Sequence, residues 1–282
     1  IYTAHLFYSR QQGKFWHYKI GLHADYDITR TKLMENTKKH NSDRLYFYPH
    51  LTLQYMPSDQ QELAFHFTRK ASLPDYTQLN PFTSPIDHQT FEQGNPLLRP
   101  EVTNRAEINY LLSREKLQLN GNLYFNSTEK FITPITLFSE DNTLTLSYAN
   151  GNMENKVGLD INLSGTPTSW ITITPSISLV HSHTNGKFQG IDLHADDFSW
   201  SGDLELTLNS KKHTEFQALF SYQSPTKVPQ FKVEENYYLD LAIKEATHAY
   251  WIGLTFNFNN FKSRPSADDS HPQKRQVIQL GQ

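Results

Sequence analysis

The sequence predicts an all-β fold, an antiparallel transmembrane β-barrel with about 12–13 strands in this chain, which form part of a larger barrel. Three observations predict it. The first is a period of two. Trp16, Tyr18, Ile20, Leu22, Ala24 and Tyr26 alternate with His17, Lys19, Gly21, His23, Asp25 and Asp27. Leu117, Leu119, Leu123 and Phe125 alternate with Gln118, Asn120, Asn122 and Asn126, and Leu204, Leu206 and Leu208 with Glu205, Thr207 and Asn209. One apolar and one polar face, repeated along the chain, is the signature of half-buried strands. The second observation is a strict rotation of short and long connections. The third is strand length: several alternating runs are about twice the ~5–6 residues of an ordinary strand. That suits a tilted strand, which needs about 9–11 residues to cross the apolar core of a bilayer.

The elements follow in order. Strands open at residue 1, and tight polar turns fall at 11–14, 57–60, 113–116, 166–169, 210–213 and 246–249. Between them lie longer links at 29–43, 71–100, about 131–142, 181–197 and 224–236. Hairpin turns on one rim and elaborated loops on the other are what an outer-membrane barrel requires. The segment 143–165 carries Asn150-Gly151 and reads either as one long bulged strand or as a small hairpin. Aromatics near strand ends fit interfacial girdles: Tyr2, Phe7, Tyr8, Tyr46, Tyr48, Tyr55, Trp170, Trp200, Tyr237, Tyr238, Tyr250 and Trp251. The barrel segment is expected over 1–261. Residues 262–282 are expected to be an exterior loop plus the start of a truncated final strand, or a disordered tail.

Composition excludes several classes. The net charge of -3 gives no basic field for nucleic acid. There is no cysteine for disulfides, thiolate metal ligands or nucleophiles. No run approaches the ~18 apolar residues of a membrane helix. The chain opens on Ile1-Tyr2 without a charged leader, so it reads as a mature product or a fragment of a longer protein.

The residues also resemble a family. The opening I-Y-T-A-H-L-F-Y-S, then Y-K-I-G-L-H-A-D-Y, Y-P-H-L-T-L-Q-Y, R-K-A-S-L-P-D-Y-T-Q-L-N-P-F, G-N-P-L-L-R-P-E, Y-A-N-G-N with V-G-L-D-I-N-L, and Y-Y-L-D-L-A-I-K are similar to the barrel of TonB-dependent outer-membrane receptors. The likeness is to the Bacteroidetes-type outer-membrane β-barrel group and runs from Ile1 to about Phe261. Arg69–Glu101 is its specific part. The resemblance implies about twenty-two strands around a plug. This chain holds roughly half of those strands, so it is expected to be the C-terminal part of the barrel. The plug and the segment that contacts TonB would lie upstream of Ile1.

Candidate site residues come from the long segment at 71–100. Pro81 and Pro96 fix φ and push Asn80 and Asn95 toward extended backbone, while Gly94 is free to take positive φ. Together with Pro74, Phe82, Leu98 and Pro100 they are expected to shape the loop rather than touch cargo. Arg69, Tyr76, Arg99 and Glu101 are candidates for holding its base. His181 and His183, with His194 nearby, offer an H-x-H pair without a clear third ligand. Asp196–Asp197 and Asp268–Asp269 do not supply the six to eight oxygens of a calcium cage. No metal, cofactor or catalytic residue is therefore assigned, and the absence of G-x-S-x-G or any local triad argues against an enzyme.

The expected function is outer-membrane transport through a plugged polar lumen. Gln118, Asn120, Asn122, Asp160, Asn162, Glu205 and Thr207 are expected on the lumen wall. Leu117, Leu119, Leu159, Ile161, Leu204 and Leu206 are expected against lipid. The expected partners are outer-membrane lipid and lipopolysaccharide, TonB through an upstream plug, and a surface lipoprotein or other envelope subunits. The alternative is a non-transporting barrel subunit or scaffold that binds partner proteins. Cargo is not legible in the loops.

Overall fold

The computed structural model describes residues 2–32, 39–139, 142–210, 214–245 and 252–257. Parts of the expected turns at 210–213 and 246–249, Tyr250, Trp251, Asp268–Asp269 and the tail 262–282 lie outside the described residues.

Twelve long strands form one antiparallel sheet in chain order. They are β1 (Tyr2–Gln12), β2 (Trp16–Lys32), β3 (Lys39–Ser58), β4 (Gln61–Ser72), β5 (Glu101–Arg114) and β6 (Leu117–Glu129). The rest are β7 (Met153–Thr168), β8 (Ile171–Asn185), β9 (Ala195–Asn209), β10 (Thr214–Gln223), β11 (Asn236–Glu245) and β12 (Ile252–Asn257). Among the described residues β1 and β12 are the two edges, so the sheet is an open part of a barrel. Nearest-neighbour pairing throughout is the up-and-down topology that tight turns on one rim impose.

The register confirms two faces. Leu53, Phe65, Ile108, Leu123, Leu159, Leu179 and Trp200 stand opposite one another on seven adjacent strands. One residue along, Asn109, Asn122, Asp160, Ser178 and Ser201 do the same. Pairing residues share a face and successive residues alternate, so the apolar and polar rows lie on opposite sides. The polar face is stitched by its own hydrogen bonds. Ser178 Oγ donates to Asp160 at 2.6 Å, Ser176 and Ser221 both donate to Asp203, and Arg105 bonds Glu107 at 2.7 Å. The apolar face stays open: Leu123, Phe125, Leu204, Phe216 and Phe220 are all exposed large apolar side chains.

Four readings are corrected. The link at 29–43 is largely paired ribbon, because β2 and β3 continue from Ile28↔Asp43 to Lys32↔Lys39. Likewise β8 and β9 stay in register to Thr184↔Ala195, which shrinks the link at 181–197 to 186–194. The segment 143–165 is neither a single strand nor a self-contained hairpin. Leu144–Asn150 pairs with Ile132–Phe138 outside the barrel sheet, and Asn150-Gly151 is the joint where the chain enters β7. Finally, Phe7, Tyr46, Tyr48 and Tyr238 lie on the polar face, since their partners are Gly21, Asp25, His23 and Ser221.

The packed core is not under the sheet. Phe131, Ile135, Ala149 and Leu193 form it, with Leu137, Phe188 and Ile191 against them, all from connections on the long-loop rim. Among the described residues of the staves, the buried apolar residue away from that rim is Ala64.

Candidate functional site

The candidate site is the cap that the long connections build. After β4 the chain enters a one-turn helix, Tyr76–Leu79. Asp75 is its N-cap. Its carboxylate accepts the Gln78 N–H at 2.7 Å, and Gln78 Oε1 accepts the Asp75 N–H at 3.0 Å. This capping box was legible as D-x-x-Q in the sequence and was not read there. The Thr77 hydroxyl, followed by the Gln78 amide, holds the Asp75 carboxyl below the usual carboxylate range.

Asn80 then turns extended before Pro81, as expected, and its Oδ1 accepts the Phe82 N–H. A ribbon, Ser84–Pro85 with Thr90–Glu92, adds its second strand in parallel to Leu144–Asn150. The result is a four-stranded loop sheet with Ile132–Phe138 at one edge. That edge is closed to further pairing. Glu101 accepts the Ile132 N–H, Pro134 has none to offer, and the Gln230 amide bonds both the N–H and the C=O of Thr136.

The G-N-P element locks the helix to this sheet. Gly94 is required for close approach rather than for the positive φ expected of it. A Cβ there would stand 2.4 Å from Thr77 O and 2.6 Å from Asn80 N, and Gly94 is absent from the positive-φ residues. The Gly94 N–H donates to Asn80 O, and the Asn95 N–H to Gln78 O. Asn95 Nδ2 donates to Tyr148 O at 3.0 Å, while its Oδ1 accepts the Leu97 N–H before Pro96-Leu97 turns back. Leu98 is buried.

Among the described residues the base of the loop is held by hydrogen bonds to Asn150, Glu101 and Asn104. Asn150 is the clamp and was missed. Its Oδ1 accepts the Arg99 N–H at 2.8 Å, and its Nδ2 donates to Arg99 O and Lys130 O. Glu101 bonds the Ile132 N–H, and Arg69 donates to Asn104 from within β4. Tyr76, the first residue of the one-turn helix, is 79% exposed. Pro74 and Pro100 flank the segment at the ends of β4 and β5.

The cap presents apolar side chains to solvent: Leu97 is 83% exposed, Phe138 80% and Phe82 72%. A cleft of about 430 Å³ runs beside Asn95, Leu97, Arg99, Lys130, Asn150 and Phe188. A smaller hollow of about 200 Å³ lies under Phe82, between Asn80, Glu92 and Gly94. Of the remaining candidates, Asp196 meets His183 Nδ1 at 3.2 Å and His181 Nδ1 at 3.9 Å. Asp197 looks to the other face and accepts the Lys227 N–H at 2.9 Å. Adjacent strand residues diverge in this way, so that pair cannot share an ion.

A family model described as "Outer membrane protein beta-barrel family" matches residues 1–275. No curated protein sequence matches. Several solved structures share the fold. The siderophore receptor PirA from Pseudomonas aeruginosa is 13% identical with a TM-score of 0.62, over 93% of this chain and 45% of that one. The copper transporter OprC is 12% identical with a TM-score of 0.66, over 90% and 41%. The ferric-catecholate import receptor Fiu from K12 E. coli is 12% identical with a TM-score of 0.60, over 87% and 38%. The chain thus spans less than half the length of each.

Proposed function

Because this chain belongs to the outer-membrane protein β-barrel family, with a TonB-dependent-receptor-like barrel placed in the bacterial outer membrane, we propose that it is the barrel part of a transporter that captures a substrate at its outer rim and passes it through a plugged polar lumen. The observation that carries this reading is the pairing of a polar inner wall with a built exterior cap. Asn109, Asn122, Asp160 and Ser178 line the wall. Four connections pack or bond together above it. Simple pores have no need of a loop sheet with its own core. A receptor does, because binding groups on rigid loops lose less entropy on capture.

In this reading the outward rows of Leu, Ile and Phe meet membrane lipid, and the polar side chains above them meet lipopolysaccharide. Energy arrives from TonB through a plug contributed by sequence outside this chain. The structural neighbours include siderophore receptors and a copper transporter, which makes chelated or free metal the first cargo class to test. The reading involves no catalytic step.

The test is genetic. A strain lacking the gene should lose uptake of one limiting nutrient. Uptake should return with the intact gene in a strain that has TonB, but not with a gene lacking 76–98. Uptake that persists without TonB would sink the proposal. A second reading draws on the exposure of Leu97, Phe138 and Phe82: the cap is the seat of a surface lipoprotein or another envelope subunit, and the barrel is its scaffold. Stoichiometric co-purification with unchanged nutrient uptake in the deletion strain would favour that reading.

A further inference from the structure

The polar inner wall changes character on β1–β3. In mid-sheet one of its rows reads Asn109, Asn122, Asp160, Ser178 and Ser201. On β1–β3 three successive rows carry rings instead: Phe7 and His50 flank Gly21, His5 and Tyr48 flank His23, and Tyr46 faces Asp25. The rings form a continuous patch. His5 and His23 stand 4.2 Å apart and His23 and Tyr48 5.2 Å apart, both edge to face, and Tyr48 and Tyr46 are 6.2 Å apart and nearly parallel. A Cβ at Gly21 would collide with the His50 ring, so that ring lies across the glycine backbone.

The patch lies on the path from the cap to the periplasm. Counted from Trp16, where β2 leaves its tight turn, the rows at Gly21, His23 and Asp25 stand roughly 12, 16 and 21 Å along the membrane normal, at ~3.3 Å per residue and ~45° tilt. That is the outer half of an apolar band ~25 Å tall. Closing the barrel does not cover these rings, because further strands pair at the β1 edge and leave the inner face open. His23 Nε2 meets Asp25 Oδ1 at 2.5 Å, which sets a carboxylate beside the rings.

We infer that this patch is a lumen subsite for a neutral saccharide. The electron-rich faces of Phe and Tyr attract the weakly positive C–H face of a sugar ring. Its hydroxyls find an acceptor in Asp25 and groups that both donate and accept in Tyr46, Tyr48 and the imidazoles. Charge argues against ionic solutes. The three rows on β1–β3 hold one carboxylate and no Lys or Arg; Lys19, one row nearer the periplasm, sits 5.9 Å over the Phe7 ring. An anion would therefore meet Asp25 without a fixed cation in its row. An organic cation would meet three imidazoles, which repel it whenever they are protonated. Weak, repeated contacts of this kind let a solute enter and leave a pore. The inference rests on the transport reading and adds a cargo class to the metals.

The experiment is saturation-transfer NMR on the intact protein in phospholipid nanodiscs. The probes are a panel of short gluco-, galacto- and manno-oligosaccharides, with sorbitol, catechol and choline as controls. The expected result is saturable transfer to the ring C–H protons of at least one saccharide, and none to sorbitol, which has hydroxyls but no ring face. Tyr48→Ala should weaken that saccharide roughly tenfold, the scale of one lost ring contact. Tyr238→Ala, on the same face at β11, should leave it unchanged. No transfer to any saccharide overturns the inference, and so does equal binding in Tyr48→Ala. Catechol or choline binding that Tyr48→Ala abolishes, with no saccharide bound, overturns it in favour of an aromatic or cationic solute. TonB takes no part in this measurement, so failure here leaves TonB-dependent uptake standing, and loss of that uptake leaves the subsite standing.

Discussion

Placing an arginine at Leu123 tests which face of the sheet meets lipid. Leu123 sits in an apolar row between Ile108 and Leu159 and is 48% exposed. On β6 it is six residues from the strand start at Leu117 and four from Ser127, the first polar residue on that face. At ~3.3 Å per residue and ~45° tilt these are roughly 14 Å and roughly 9 Å along the membrane normal. That puts Leu123 near the middle of an apolar band ~25 Å tall, where a lipid-facing Arg costs about 2–4 kcal/mol. The folding equilibrium should therefore fall roughly 30- to 700-fold, at ~1.4 kcal/mol per tenfold. Asn122→Arg is the control. Its register partners are Asn109 and Asp160, and a cation there meets a carboxylate and water. Its cost should stay within about 1 kcal/mol. The assay is reversible urea unfolding in lipid bilayers, followed by tryptophan fluorescence. Equal losses for the two variants, or a larger loss for Asn122→Arg, would refute the assignment of faces.

Three further outcomes follow from the cap. Asn150→Ala removes three hydrogen bonds that join 99, 130 and 150. At about 1 kcal/mol each, hydrogen exchange in 95–101 and 130–150 should quicken on the order of 100-fold while the β5–β8 amides stay protected. Gly94→Ala forces the chain away from Thr77 O and Asn80 N, so limited proteolysis should open 76–98 in the variant first, and equal cleavage would show the close approach to be dispensable. Asp75 is held below its ordinary range, so the helix cap it forms is complete above the usual carboxylate pKa and is lost as pH falls through the lower, folded value. The protection of the Gln78 amide, taken relative to the intrinsic exchange rate at each pH, should fall as pH drops through that acid window in the wild type and be low at every pH in Asp75→Ala.

The staves were legible because a strand with one wet and one apolar side leaves a period-two record in each residue, and the tight turns punctuate it with polar clusters. That is why Leu117–Phe125 and Leu204–Leu208 fall on the face expected of them. The connections left weaker records. Phe131, Ile135, Ala149 and Leu193 lie in two separate stretches of sequence, and no local pattern says that they meet. Asn150-Gly151 looks like a hairpin turn, yet its roles are a clamp on Arg99 and a close pass by the Phe131 ring, which would stand 2.0 Å from a Cβ at Gly151. The ribbon formed by β2 and β3 was hidden for a different reason. Beyond the bilayer there is no lipid to enforce alternation, so polar residues pair as strands without the apolar half of the pattern. Asn-Pro before a bend was readable, because the restriction that proline places on its predecessor is local.

Placing the core outside the membrane has a consequence for assembly. Register along the barrel is set by faces alone, and a slip of two residues keeps every face correct. Hydrophobic alternation therefore cannot reject such a slip, but the cap can. Leu193 reaches the core only when β8 and β9 are in register, since its N–H bonds Gly186 O and its C=O accepts the Thr184 hydroxyl. Phe131 reaches it only when β6 and β7 agree, since the Lys130 N–H must meet Asn152 O and the Gly151 N–H must meet Phe131 O. Moving either pair by two residues would shift these groups by about 7 Å and pull a fully buried side chain into water. A buried leucine is worth about 1.5–3 kcal/mol. The loop core thus selects among registers that the membrane treats as equivalent, and it aligns the binding surface in the same step that aligns the staves.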